Sequence, residues 1–201
     1  MDLEVELDRF LKIKTNGRDD SNSNFINYPY EATPYSVLQV LANSEHMSKK
    51  DKIIDFGCGK GRVSFYLSYS RKVRMIGVEY DERLYNAALE NKKKCISASK
   101  VEFIYSNACD YEIEDDSTAA YFFNPFNVDI LKSVISNIKK SITKQNREFK
   151  LFFYYPSKEY LEYLESECDM VFIENIECYD LFNEYDSREY IKVYRIGGCK
   201  Y

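Results

Sequence analysis

Near the start of the chain, Leu3, Leu7, Phe10 and Leu11 fall on one helical face, so a short amphipathic helix is predicted over residues 2 to 13. The stretch NGRDDSNSN at 16 to 24 carries loop and turn chemistry. A second helix is predicted after Pro34 on the apolar positions Tyr35, Leu38, Val40 and Leu41, with Thr33 as its N-cap and the proline at its first position. From Lys52 onward the pattern changes. Short apolar runs predict strands at Lys52 to Phe56, Val73 to Tyr80, Val101 to Tyr105, Thr118 to Phe123, Phe149 to Tyr155, Met170 to Tyr179 and Tyr190 to Ile196. Amphipathic runs between them predict helices at Arg62 to Tyr69, Glu82 to Lys94, Val128 to Ile142 and Lys158 to Glu167.

Repeated strand–helix units imply a mostly parallel sheet covered by helices on both faces. The last two strands have no helix between them, so they are expected as an antiparallel pair at one edge of the sheet. The fold class is therefore α/β and Rossmann-like, with seven strands. No internal repeat interrupts it, and a single domain over 1–201 is expected, with 1–33 as an N-terminal helix and arm.

Composition narrows the partners. With 45% hydrophobic and 30% charged residues the 201-residue chain is globular. No apolar run approaches the roughly 20 residues that span a bilayer, and the acidic start is no signal peptide, so neither a membrane partner nor an anchor is expected. A net charge of -5 argues against a broad, non-specific nucleic-acid surface. The longest basic run, Lys92 to Lys94, reads as a solvated helix end whose cations suit the helix dipole. The cysteines Cys58, Cys95, Cys109, Cys168, Cys178 and Cys199 form no CxxC pair and His46 is the one histidine, so no metal site is expected. Scattered cysteines suggest a reducing, cytoplasmic compartment.

The strongest local signal is Asp55-Phe56-Gly57-Cys58-Gly59-Lys60-Gly61-Arg62, which follows a strand and opens a helix. Alternate glycines let backbone turn sharply and approach a ligand, and the helix N-terminus offers free N–H groups. Lys60 is followed by Gly61, so this is not a phosphate loop of the GxxxxGK[ST] type; Arg62 stands where GxGxxG requires a small residue. The next strand ends Gly77-Val78-Glu79-Tyr80, which places an acid where it can accept ribose hydroxyl bonds. The chain thus resembles the class I S-adenosylmethionine-dependent methyltransferases, over roughly residues 30 to 197. The resemblance implies a Rossmann-like methyltransferase fold with S-adenosylmethionine as cofactor. It implies cofactor contacts from Asp55, Gly57, Cys58, Gly59, Gly61, Glu79 and Tyr80. In the loop after the third strand, Asn107 stands where the family often has an acid on the adenine amino group. Asn107 is expected to accept that bond through its amide oxygen, with Ala108 adding its backbone N–H.

Phe122-Phe123-Asn124-Pro125-Phe126 ends the fourth strand and is similar to the Asn-Pro-Pro-Tyr/Phe motif of methyltransferases acting on exocyclic or amide nitrogens. That similarity implies that Asn124 orients the acceptor nitrogen and lies near the cofactor; the second proline of the motif is absent. Because Asn124 precedes Pro125, its backbone is expected to be extended. Upstream, Tyr28-Pro29-Tyr30-Glu31-Ala32-Thr33-Pro34 is similar to an arm that closes over the cofactor in several such enzymes. On that reading Tyr30 and Thr33 bond the methionine carboxylate; on the plainer one the arm only packs on the sheet. Two functions stay open: a methyltransferase whose acceptor is a nitrogen on a protein, nucleic acid or small molecule, or an inactive S-adenosylmethionine-binding module that serves as a regulator or partner subunit. A nicotinamide oxidoreductase is disfavoured by Arg62 and the GxGxG spacing.

Overall fold

The computed structural model describes residues 2–21 and 27–197. Cys199 and the last part of the loop expected over 16 to 24 lie outside the described residues. Among the described residues, strands β1 (Lys52–Phe56), β2 (Arg74–Glu79), β3 (Val101–Tyr105), β4 (Ala119–Phe122), β5 (Phe149–Tyr154), β6 (Met170–Glu177) and β7 (Tyr190–Ile196) form one sheet in the order β3-β2-β1-β4-β5-β7-β6. The first five strands pair in parallel. β7 runs antiparallel to both β5 and β6, so the expected antiparallel pair closes one end of the sheet, with β7 inside and β6 at the rim. Strand order reverses between β1 and β4, and open α/β sheets form their ligand crevice at such a switch point.

The period of two along each strand sorts side chains onto two faces. Ile53 and Met75 join one apolar cluster with Leu38 of helix α2 (Tyr35–Asn43) and Phe65 of helix α3 (Arg62–Arg71). Ala88 of helix α4 (Glu82–Lys94) lies in the same cluster, as does Leu11 of helix α1 (Leu3–Leu11). Ile54, Phe56, Ile76 and Val78 join the other cluster, under helices α5 (Val128–Lys144) and α6 (Lys158–Ser166). Leu131, Val134, Ile135, Ile138 and Ile142 of α5 are its buried stripe, spaced three and four apart. This alternation places Asp55 and Glu79 at strand ends on the face of α1 to α4. No described helix is long and apolar enough to cross a membrane.

The start of the second helix differs from expectation. Helix α2 begins at Tyr35 with Pro34 at its cap, and Thr33 lies outside the helix. The cap comes from elsewhere: the Glu4 carboxylate of α1 accepts the Tyr35 backbone N–H at 2.9 Å. A carboxylate at a helix start satisfies an orphan donor and suits the dipole, so α1 and α2 are fastened end to end.

Candidate cofactor cleft

The glycine loop begins where β1 ends. The Gly57 and Cys58 N–H groups donate to the Val78 carbonyl of β2, at 2.9 and 3.2 Å, which turns the chain across the end of the sheet. Gly57 has φ +69°, and a Cβ there would stand 2.3 Å from Pro125 in the loop after β4. Gly59 has φ +53°, and a Cβ there would stand 2.1 Å from the Tyr30 ring. Both positions therefore need glycine for backbone conformation and for space. Gly61 caps α3, and its carbonyl accepts the Phe65 N–H at 2.9 Å.

Glu79 is 4% exposed and acts as a hub. Its Oε2 accepts the Gly59 N–H at 2.8 Å, and its Oε1 accepts the N–H groups of Tyr80 at 3.0 Å and Asp81 at 2.9 Å. The strand-end acid thus sets the shape of the glycine loop directly. Burial raises its carboxyl above the ordinary range, against the opposing pull of these bonds. A carboxylate offers about four lone-pair sites, so one remains for a ligand.

Asp55 is 2% exposed and accepts the Ser64 hydroxyl at 2.8 Å. Burial pushes its carboxyl up to about 7; the Ser64 bond opposes the rise and the Glu79 charge adds to it. The folded state therefore holds this proton at pH values where the unfolded chain has lost it. Its stabilising contribution is full below about pH 4, shrinks as the pH rises, and is gone above about 7. The expected outcome is that Asp55→Asn, which cannot titrate, gains several degrees in melting temperature over the wild type between pH 5 and 7.5. A constant difference across that range would refute the assignment. Cys58, also buried, has its thiol pKa raised by burial, so it stays protonated and is no nucleophile.

Of the residues the sequence singled out, Tyr30, Thr33, Asp55, Gly57, Cys58, Glu79, Tyr80, Asn107 and Ala108 line one cleft at this switch point, whereas Gly59 and Gly61 do not line it. The arm crosses that cleft as a strap. Asp19 and Tyr30 exchange backbone hydrogen bonds at 3.0 Å, and the Tyr28 N–H donates to the Pro125 carbonyl at 3.3 Å. The Tyr30 and Thr33 hydroxyls, expected to bond a carboxylate, both have partners within the protein. The Tyr30 hydroxyl donates to the Thr15 carbonyl at 2.6 Å, and the Thr33 hydroxyl pairs with the Tyr121 hydroxyl at 3.0 Å. The Asn107 amide oxygen accepts the Cys109 N–H at 3.0 Å in a local turn, which leaves it one lone pair.

Asn124 departs furthest from expectation. Its φ is +40°, not extended, and its side chain does not line the cleft. The amide bridges to the loop after β5: Nδ2 donates to the Tyr155 carbonyl at 2.6 Å, and Oδ1 accepts the Ser157 N–H at 3.0 Å. These two bonds outweigh the steric preference that Pro125 imposes. His46 sits in the turn after α2, outside the cleft, 2.5 Å from Glu174 of β6. Several lining residues went unnoticed in the sequence, among them Asp19, Asp81, Arg83 and Tyr121. Tyr121 is hidden inside an apolar strand, and Arg62 showed only as an obstacle to dinucleotide binding.

A glycine loop tied to a buried strand-end acid at the switch point, with an aromatic strap across it, defines a class. The molecule is an S-adenosylmethionine-dependent methyltransferase of Rossmann-like fold. The methyltransferase-domain family profile matches residues 33–152, and the chain belongs to that family. A protein-lysine N-methyltransferase of Saccharolobus islandicus (strain REY15A) is 24% identical over 118 residues, covering 58% of this chain and 69% of that protein. An RNA methyltransferase from Salinibacter ruber, solved with S-adenosyl-L-homocysteine, superposes with a TM-score of 0.53 at 18% identity, over 83% of this chain and 93% of its own. A TehB-like methyltransferase from Corynebacterium glutamicum gives 0.58 at 18% identity, over 82% and 89%.

Proposed function

We propose that this enzyme transfers the methyl group of S-adenosylmethionine to an amine nitrogen of a protein, a lysine side chain. The observation that carries the reading is the charge of the cleft. Asp19, Glu31, Glu79 and Asp81 line it, together with the partly protonated Asp55, against Arg62 and Arg83. Arg83 is paired with Asp81 at 2.8 Å, and Arg62 is buried against the N-terminal arm. A negative cleft favours both the cationic cofactor and a cationic acceptor amine, and disfavours a polyphosphate backbone. The relative that acts on protein lysine supports the same acceptor.

The residues present suit the cofactor. On this reading Gly57 and Cys58 of the loop line the cleft, Glu79 keeps one lone pair for a ribose hydroxyl, and Ser106, Asn107 and Ala108 are the wall that would face the adenine end. Asp55, Tyr121 and Thr33 also line the cleft and on this reading would face the methionine end. When bound, S-adenosylmethionine supplies an already activated methyl group. The protein's task is alignment and exclusion of water, and orientation supplies most of the rate. The strap, the Phe123 side chain and the loop after β4 serve that task.

Glu79→Ala is expected to weaken S-adenosylmethionine binding by about tenfold, the value of one charge-assisted hydrogen bond. It also lowers the melting temperature, because three backbone N–H groups lose their acceptor. Calorimetric affinity unchanged from wild type would remove Glu79 from the cofactor site. The acceptor is tested with labelled S-adenosylmethionine and cell lysate of the source organism. Label in protein that yields methyllysine on hydrolysis, and is abolished by prior chemical blocking of lysines, supports the reading. Label in nucleic acid or small molecules overturns the lysine acceptor. Binding without any transfer would make the chain an inactive cofactor-binding module.

A further inference from the structure

We propose that Arg62 is a positioning residue for methyl transfer: it latches the N-terminal helix and the Tyr30–Thr33 strap onto the glycine loop, and so sets how long cofactor and product are held. The proposal rests on the cleft being the S-adenosylmethionine site. Its starting point is an electrostatic anomaly. Arg62 is the first residue of α3 and only 4% exposed. A helix N-terminus carries the positive end of the dipole, so a cation is misplaced there. Burying it costs several kcal/mol unless it is paired and hydrogen-bonded.

Nearly all the compensation comes from residues before Tyr35. The guanidinium donates to Glu4 and to Asn16, and lies 3.7 Å from the Asp8 carboxylate. Its Nε donates to the Thr15 hydroxyl at 2.7 Å, and Nη1 donates to the Thr33 carbonyl at 3.2 Å. The Tyr35 ring covers its face at 4.4 Å. Asp8 is itself organised for this task, accepting the Thr15 N–H, the Thr15 hydroxyl and the Tyr35 hydroxyl, each at 2.6 Å. Docking of α1 and burial of Arg62 therefore stabilise each other, and neither is favourable alone.

The same atoms hold the strap. Thr15, bound to Arg62 through its hydroxyl, receives the Tyr30 hydroxyl on its carbonyl at 2.6 Å. Thr33, bound to Arg62 through its carbonyl, meets Tyr121 inside the cleft. Lys60 of the glycine loop adds a bond to the Asn16 carbonyl at 3.2 Å and lies 4.8 Å over the Tyr30 ring. The far end of the strap is held by the Tyr28 N–H bond to Pro125 at 3.3 Å, the bridge between Asn27 and Phe126, and a side-chain hydrogen bond between Asn27 and Tyr80. With the Tyr30 ring directly over Gly59, a ligand reaches or leaves the loop backbone only when the strap lifts. Arg62 anchors this strap through both Thr15, which holds the Tyr30 hydroxyl, and Thr33.

The test uses Arg62→Lys, which keeps the charge and loses the forked donors. Thr15→Val is the second variant; it removes one hydroxyl relay and leaves the Thr15 carbonyl in place. In both, the expected result is faster amide hydrogen exchange in residues 2–20 and 27–33, with the sheet as protected as in wild type. The dissociation rate of S-adenosylhomocysteine should rise about tenfold in Arg62→Lys, and KM for S-adenosylmethionine should rise with it while kcat is held or increased. A merely structural role would lower the melting temperature without this split between KM and kcat. Unchanged exchange at the N-terminal residues overturns the latch, as does unchanged ligand dissociation. Wild-type protein that binds no S-adenosylmethionine at all would overturn the cofactor reading instead, and the exchange measurement still judges the latch by itself.

Discussion

Gly59→Val is expected to abolish measurable S-adenosylmethionine binding while the sheet stays folded. A valine Cβ would stand 2.1 and 2.2 Å from two carbons of the Tyr30 ring, closer than real atoms approach. The ring cannot simply withdraw, because its hydroxyl is held by Thr15 and its backbone by Asp19. The φ of +53° is a second obstacle, since a β-branched residue avoids the left-handed region. The substitution therefore forces either the loop or the strap out of place. Each change removes a wall of the cleft, and the first also breaks the Gly59–Glu79 bond. Gly17→Ala is the control: φ is also positive, at +94°, but a Cβ there meets nothing within 4 Å. It is expected to cost about 1 kcal/mol of stability and to leave binding intact. Titration calorimetry and near-ultraviolet circular dichroism on both variants decide the matter. Wild-type affinity in Gly59→Val would mean that the glycine loop is not the cofactor cradle.

What was legible in the sequence was whatever is enforced locally. Ile53, Ile54 and Phe56 announce a strand because the central strands are buried on both faces and read as continuous apolar runs. The stripe of α5 and the acid-to-glycine spacing of Asp55, Gly57 and Gly59 are local too. What stayed hidden depends on contacts between distant segments. The N-cap of α2 was misplaced by one residue because the capping group is Glu4, 31 residues away. Arg62 looked like a flaw in a nucleotide motif because its partners Glu4, Asp8 and Asn16 belong to another helix and its loop. Tyr121 looked like one more apolar strand residue. Only the sheet order brings it beside Thr33 and Asp55.

Asn124 shows the same division, and its replacement is the second large effect. Lys12, Lys72, Asn124 and Tyr155 are the described non-glycine residues with positive φ. Lys12 and Lys72 end helices, where that conformation is ordinary. Asn124 and Tyr155, at +40° and +48°, are bonded to each other through the Asn124 amide. For a bulky residue such as Tyr155 this conformation costs about 1–3 kcal/mol and persists only where the surroundings over-determine it. Paired strain of this kind at the ends of β4 and β5, next to the Phe123 and Pro125 wall of the cleft, points to a held loop geometry. We therefore assign Asn124 the positioning of that loop. Asn124→Ala is expected to lose both bonds and the tolerance of asparagine for positive φ, about 2–4 kcal/mol together. The melting temperature should fall by roughly 4–16 °C for a chain of this size. Methyl transfer should fall by about a hundredfold, the cost of a small misplacement near the reacting centre, with cofactor affinity nearly unchanged. Asn124→Gly separates the causes, since glycine keeps the backbone and discards the amide. Recovery of turnover in the glycine variant would show that backbone conformation is what matters. Loss in both would show that the bridge from Tyr155 to Ser157 holds the loop. Normal turnover in Asn124→Ala, at lowered stability, would leave Asn124 as a staple with no part in placing the acceptor.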